Sequence, residues 1–332
     1  MARNIPAPDI LAPEALGPTV CIGEILVEIM AKTPGNTILD AQTWIGPFPS
    51  GAPAIFIDQC GKISGNAAMI GAVGNDDFGR INLKRLAADN VDISGIAVDP
   101  DYPTGSAFVR YQKDGSRKFI FNIAKSAAAR FAWTDIVSRV IARAGHLHIM
   151  GSALVMPNIW PVIEKALKIL KSKGGTLSLD PNLRSELTYD RQIQTRFARL
   201  IEATDLLLPS GAELECAAAV KGENAALQSL FQRGVKEIVL KRGAQGATCF
   251  QSGKAPVNAL AFAVQEVDPT GAGDCFGGAY VACRRMGLPL TDVLTYACAA
   301  GARNVTQYGP MEGTGTRSQL DAFIQTTKRM GK

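Results

Sequence analysis

The stretch Val267-Asp268-Pro269-Thr270-Gly271-Ala272-Gly273-Asp274-Cys275-Phe276 decides how the chain is read, because it sets two glycines and a carboxylate at a strand-to-helix junction. Alternation over residues 261–267 predicts the strand, and the small-residue run 272–285, stopped near Gly287 and Pro289, predicts the helix. Gly271 and Gly273 can adopt backbone angles closed to other residues and let an anion approach the main chain. The free N–H groups of the first helical turn then face that anion, backed by the positive end of the helix dipole. Asp274 lies in the same turn, where it would repel a phosphate held statically beside it. The conflict resolves if the carboxylate accepts the proton of a hydroxyl about to attack phosphorus, so the junction reads as a phosphoryl-transfer site.

Two plainer readings account for less of the stretch. Gly271-x-Gly273-x-x-x-Gly277 loosely matches a dinucleotide fingerprint, but the third glycine is displaced and Asp274 would stand where a pyrophosphate binds. A purely structural turn uses the glycines and leaves the acid unexplained. No G-x-x-x-x-G-K-[ST] occurs, which argues against a P-loop NTPase.

The 332 residues are 47% hydrophobic and 20% charged, enough to bury a large core. A net charge of +5 is too small and dispersed for nucleic acid and suits a small anionic substrate. No apolar run is long enough to span a membrane. Residues 1–18, with Pro6, Pro8, Pro13 and Pro18 and no continuous apolar core, predict a loose arm rather than a signal peptide, and hence a cytoplasmic protein. Cys21, Cys60, Cys216, Cys249, Cys275, Cys283 and Cys298 are odd in number and never spaced C-x-x-C, against both a disulfide framework and a zinc site. Cys275, at a helix N-terminus, is a candidate for a lowered thiol pKa, with simple packing the weightier expectation. His146 and His148 alternate on a predicted strand and are read as structural.

Apolar runs alternate with amphipathic segments, the pattern of a parallel sheet covered by helices. Strands are expected over 20–30 (interrupted at Gly23 and Glu24), 67–73, 145–150, 176–179, 205–208 and 237–240. Helices are expected over 78–88, 133–144, 159–173, 290–304 and 318–327. Two segments, about 36–50 and 103–124, break this rhythm. The second reads as a β-hairpin turning at Asp114-Gly115. Both suit a small sheet covering a site, or a hairpin packed at the sheet edge.

Asp268, Thr270, Gly271, Ala272, Gly273 and Asp274 resemble the D-T-x-G-A-G-D signature of the PfkB or ribokinase-like carbohydrate kinases, with Pro269 as an extra residue or a D-P-T variant. The resemblance covers residues 19–332 and implies an α/β fold, a three-layer α/β/α sandwich with a mostly parallel central sheet and a small β-sheet lid. It implies that Asp274 is the catalytic base and that the N–H groups of Gly271, Ala272 and Gly273 form the anion hole. It also implies ATP and Mg²⁺ as cofactors, a monovalent cation in many relatives, and a homodimer formed through the lids.

Further segments follow the family in order. Gly23-Glu24-Ile25-Leu26-Val27-Glu28 is similar to its first strand, implying that Glu28 binds sugar hydroxyls where Asp is commoner. Two hydroxyls can donate to one carboxylate. Ser50-Gly51-Ala52-Pro53-Ala54 resembles G-G-A-P-A-N, with Gly51 bringing backbone close to the sugar and Ile55 replacing the asparagine. Gly74-Asn75-Asp76-Asp77-Phe78-Gly79 matches the G-D-D-x-F-G turn. Asp180-Pro181-Asn182-Leu183-Arg184 resembles D-x-N-x-R, implying Asn182 near the phosphates and Arg184 near the transferred group. Ser210 and Glu213 follow N-x-x-E, with Glu213 organising magnesium through water. Lys241, Gly243 and Gly246 follow the K-x-G-x-x-G turn of the nucleotide pocket, and Cys298 would face adenine. Taken singly, each also has a plain reading as a strand-end acid, a turn or a first-turn helix acid.

Substrate choice rests on the lid. Relatives that phosphorylate 2-keto-3-deoxygluconate carry an arginine just before a Ser-Ala-Ala segment, whereas Asn122-Ile123-Ala124-Lys125 precedes Ser126-Ala127-Ala128 here. Asn122 and Lys125 are therefore candidate sugar contacts, and the preferred substrate is a neutral ketohexose, tagatose or fructose. Lys125 keeps the acid sugar as an alternative. A catalytically silent sugar-binding protein is a third reading, which Asp274 and the full Gly-Ala-Gly hole oppose.

Overall fold

The computed structural model describes residues 10–35, 37–112, 117–182 and 190–331. Its strands are β1 (Thr19–Ile22), β2 (Leu26–Ala31), β3 (Trp44–Ser50), β4 (Ala67–Gly74), β5 (Val91–Asp99), β6 (Gly105–Tyr111), β7 (Arg117–Asn122), β8 (His146–Met150), β9 (Thr176–Asp180), β10 (Leu206–Leu207), β11 (Glu237–Lys241), β12 (Ala247–Gln251) and β13 (Val257–Ala259). Nine of them form one sheet in the order β13-β12-β11-β10-β9-β8-β1-β4-β5. Pairing is parallel from β11 to β5 and antiparallel for β12 and β13. Every residue of β1, β4, β8 and β9 is buried, because helices cover both sheet faces; β1 and β4 are almost wholly apolar, whereas β8 and β9 also bury His146, His148, Thr176, Ser178 and Asp180.

One hydrophobic core packs Ala52–Ser64, Ala272–Arg285 and Leu290–Asn304 against one face, and a second packs Asp135–Arg143, Ile159–Ser172 and Arg191–Ala203 against the other. The first helix pair meets so closely that a Cβ on Gly278 would lie 2.3 Å from the Phe56 carbonyl oxygen. These layers are the expected α/β/α sandwich.

The remaining strands form the expected small sheet, in the order β3-β2-β6-β7. Its register pairs Glu28 with Phe48 and Ala107, and Ala107 with Phe121, so these side chains share one face. Ser106 pairs with Asn122 on the other face. The predicted turn at Asp114-Gly115 lies outside the described residues.

Three expectations need correction. Residues 20–30 are two strands: β1 ends at Ile22 in the large sheet, and the chain crosses through Gly23–Ile25 to start β2 in the small one. Residues 261–267 make only an isolated bridge, Phe262 to Arg329, in place of a strand. The loose arm does not extend to residues 10–18, since Ile10, Leu11 and Ala12 are buried. The buried Arg285 clamps this segment, donating to the carbonyl oxygens of Ala12 at 2.8 Å and Gly17 at 2.7 Å. Residues 1–9 lie outside the described residues. No helix among the described residues is long and apolar enough to cross a membrane.

Candidate active site

Parallel strands direct their carboxyl ends to one edge of the sheet, where α/β sites form. Asp180 closes β9 and Lys241 closes β11, and the Lys241 Nζ lies 2.5 Å from the Asp180 carboxylate with the two side chains 10% and 2% exposed. Burial opposes the charge on Lys241, but Asp180, Glu213 and Asp274 outweigh it and hold the ammonium above the usual lysine range. Ser210 bridges to Lys241 through the main chain, and its N–H donates to Glu213 at 2.7 Å. A Cβ on Gly273 would stand 3.5 Å from the Lys241 Nζ, so the cation sits at the opening turn of the helix Ala272–Arg285.

That turn is held tightly. Gly271 caps the helix at φ +79°, and a Cβ there would meet the Pro310 carbonyl oxygen at 2.5 Å. The Asp268 carboxylate accepts the N–H of Thr270 at 2.9 Å and of Gly309 at 3.0 Å, and the Asn304 amide donates to the Thr270 carbonyl at 2.8 Å. Ile55, standing where the family has asparagine, is buried close to Gly271. Asp274 follows in the first turn. Cys275 is fully buried, and burial, then the Asp274 charge, push its thiol well above the ordinary range, opposite to an activated thiol.

A groove of about 400 Å³ leads to this turn. Its polar end is formed by Ser210, Lys241 and Gly273, and its apolar end by Phe262, Cys298 and Ala302. Gly243, Gly246 and Ala272 also line it, so most of the nucleotide residues expected from the sequence come together here. Burial raises the Cys298 thiol to about 11, leaving a neutral wall. A flat base fits the apolar end, and phosphates fit the cationic end. The Asn182 N–H donates to Asp180 at 3.1 Å, which puts Asn182 at the same edge, and Arg184 lies outside the described residues.

On the small sheet, Glu28 is 6% exposed and accepts a hydrogen bond from the Ser50 hydroxyl at 2.8 Å. Gly51 follows at φ +109°, where a Cβ would meet the Glu24 carbonyl oxygen at 2.5 Å. Asn122 and Lys125 are not brought to Glu28. They line a separate cavity of about 660 Å³ with Asp76, Asp77 and Thr104, and Asn122 points from the opposite face of the sheet. The ion-pair role of Asp180 was not readable from the chain, since its partner lies 61 residues away; a carboxylate at a strand end was the sole cue.

The pfkB family carbohydrate kinase profile matches residues 19–317. Fructokinase-1 of Zea mays is 28% identical over 318 residues, spanning 92% of this chain and 97% of the maize protein. An E. coli protein provisionally named ribokinase II superposes with a TM-score of 0.89 at 43% identity, covering 93% of this chain and 99% of that one. A structure under the same name, in complex with ATP and Mg²⁺, superposes at 0.87. A double mutant of fructokinase from Vibrio cholerae O395, with fructose, ADP and potassium bound, superposes at 0.78 with 25% identity, covering 92% of this chain and 98% of that one.

Proposed function

The chain belongs to the pfkB family of carbohydrate kinases, and from that membership we propose that it transfers the γ-phosphate of ATP to a hydroxyl of a neutral ketohexose such as fructose or tagatose. The observation that carries this reading is that Lys241 lines one groove with Ala272 and Gly273, the residues directly before Asp274 in the chain. A nucleotide lying in it presents its terminal phosphate to the helix N-terminus and to the carboxylate together. Asp274 accepts the proton of the attacking hydroxyl, and the backbone at Gly271, Ala272 and Gly273, with the Lys241 ammonium, offsets the charge that builds on the transferred group. Glu28, oriented by Ser50, receives sugar hydroxyls on the lid face it shares with Phe48 and Phe121.

A ketohexose is favoured over 2-keto-3-deoxygluconate because Lys125, the cation put forward for the acid group, lines a cavity away from Glu28. The maize and Vibrio relatives, both fructokinases, point the same way. A silent sugar-binding protein would have no use for a buried cation beside Gly273 and an acid one residue on.

Glu213, whose carboxylate accepts the Ser210 N–H beside Lys241, would help hold magnesium at the phosphates. Such an ion would be held chiefly by phosphate oxygens and water, with Glu213 reaching it indirectly. Bound with the nucleotide, the ion would neutralise phosphate charge. The outer face of the small sheet carries Trp44 edge-on to Phe108 and an exposed Ile120, which supports a homodimer built through the lids. Release of ADP across a panel of ketoses, aldoses and sugar acids tests the reading: turnover confined to ketohexoses supports it, and turnover confined to 2-keto-3-deoxygluconate replaces it with the acid-sugar alternative.

A further inference from the structure

The two lid strands end beside the loop that precedes the anion hole. Tyr111, the last residue of β6, pairs across the hairpin with Arg117, the first of β7, so both project from the same end and face. The Tyr111 hydroxyl donates to the Asp268 carboxylate at 2.5 Å, and the Arg117 guanidinium donates to the Thr270 hydroxyl at 3.0 Å. Asp268 is completely buried, and the oxygen that takes Tyr111 also takes the Thr270 N–H, while the other takes Gly309. Burial, then the Asp268 charge, hold the Tyr111 hydroxyl protonated well above its ordinary range, so it stays a donor. The Tyr111 carbonyl in turn accepts the Gly35 N–H at 2.8 Å, which ties in the chain between β2 and β3.

We propose that Tyr111 and Arg117 are positioning residues that latch the lid onto Asp268 and Thr270, so that lid closure and alignment of the Gly271–Gly273 turn with Asp274 occur together. A buried carboxylate needs its donors, and when the lid lifts, water must take the place of Tyr111. The exchange is close to balanced, which lets the lid open for substrate and still favours closure once a sugar adds contacts to Glu28. Thr270 is joined directly to Gly271, so a loosened Thr270 side chain misplaces the amides that receive the transferred phosphate. Neither residue needs to touch the reacting atoms.

The proposal rests on the kinase reading above, and its test separates the two. In Tyr111→Phe, turnover of the best sugar should fall about 10- to 100-fold, the worth of a hydrogen bond to a buried carboxylate, with the KM for ATP changed by less than about threefold. Amide exchange over residues 105–111 should be faster than in the wild type without ligand, and sugar should slow it less. Arg117→Lys, which keeps a long, charged donor, should lose less than Arg117→Gln, whose amide donor is neutral and shorter. Wild-type turnover and exchange in both Tyr111→Phe and Arg117→Gln would overturn the latch, as would lost turnover with unchanged lid exchange. If the wild type phosphorylates no sugar, the kinase reading fails, and the exchange comparison still decides whether Tyr111 holds the lid.

Discussion

The ammonium of Lys241 lies 2.5 Å from the carboxylate of Asp180, and both side chains are buried where β9 and β11 end. The pair holds a cation at the start of the helix Ala272–Arg285 before any substrate arrives. Preorganised charge of this kind costs no rearrangement at the moment of reaction.

Removing only the cation should harm both fold and chemistry. Lys241→Met leaves Asp180 buried and unpaired, a loss of about 3–5 kcal/mol, and should lower turnover by about 10² to 10³. Adding Asp180→Asn to Lys241→Met should restore much of the thermal stability without restoring turnover. A stable double variant with recovered turnover would show that the pair serves the fold alone.

Glu28 should govern sugar affinity. In Glu28→Gln a charged acceptor becomes partly a donor, so the sugar KM should rise about tenfold while the KM for ATP holds. Lys125→Ala, at an exposed position away from Glu28, should change the sugar KM by less than about twofold. Steady-state kinetics on the best sugar check both, and the opposite ranking would move the sugar to the Lys125 cavity.

The buried histidines should make the fold acid-sensitive. His146 lies 2.8 Å from the hydroxyls of Thr176 and Ser178, and His148 lies 2.7 Å from that of Ser178 and stacks on Phe56. Burial, with Arg285 near His146 and Lys241 near His148, drives both imidazoles well below 6.5. As pH falls below that value the unfolded chain takes up protons that the native state does not. Each histidine then lowers stability by about 1.4 kcal/mol per pH unit, and the loss is absent above the unfolded pKa. Urea unfolding between neutral and mildly acidic pH should show this slope, and His148→Gln should flatten it. An unchanged slope in that variant would place the acid sensitivity elsewhere.

The layered fold was legible because buried parallel strands such as β1 and β4 are almost wholly apolar and helices such as Asp135–Arg143 and Ile159–Ser172 are amphipathic. The helix Leu290–Asn304 matches its expected bounds residue for residue. Residues 20–30 misled because burial continues through both strands, so the interruption at Gly23 and Glu24 reads as a break within one strand rather than as a change of sheet. The antiparallel strands β12 and β13 at the end of the sheet are short, and β13, at its edge, has no buried residue, so no period stands out. In the site, Lys241, Ser210 and Gly273 were readable from motif order. Contacts such as Lys241 to Asp180 and Tyr111 to Asp268 were not, since they join segments far apart in sequence. The docking of residues 10–18 was hidden for the same reason, its clamp Arg285 belonging to the opposite end of the chain.

The most direct test of the account is ADP release by wild type and Asp274→Asn with fructose or tagatose, alongside nucleotide binding by calorimetry. Asparagine keeps the shape of the side chain and removes its basicity. The account predicts turnover lower by about 10² to 10⁴ in the variant, with ATP bound at near wild-type affinity. Turnover equal to wild type in Asp274→Asn would contradict it.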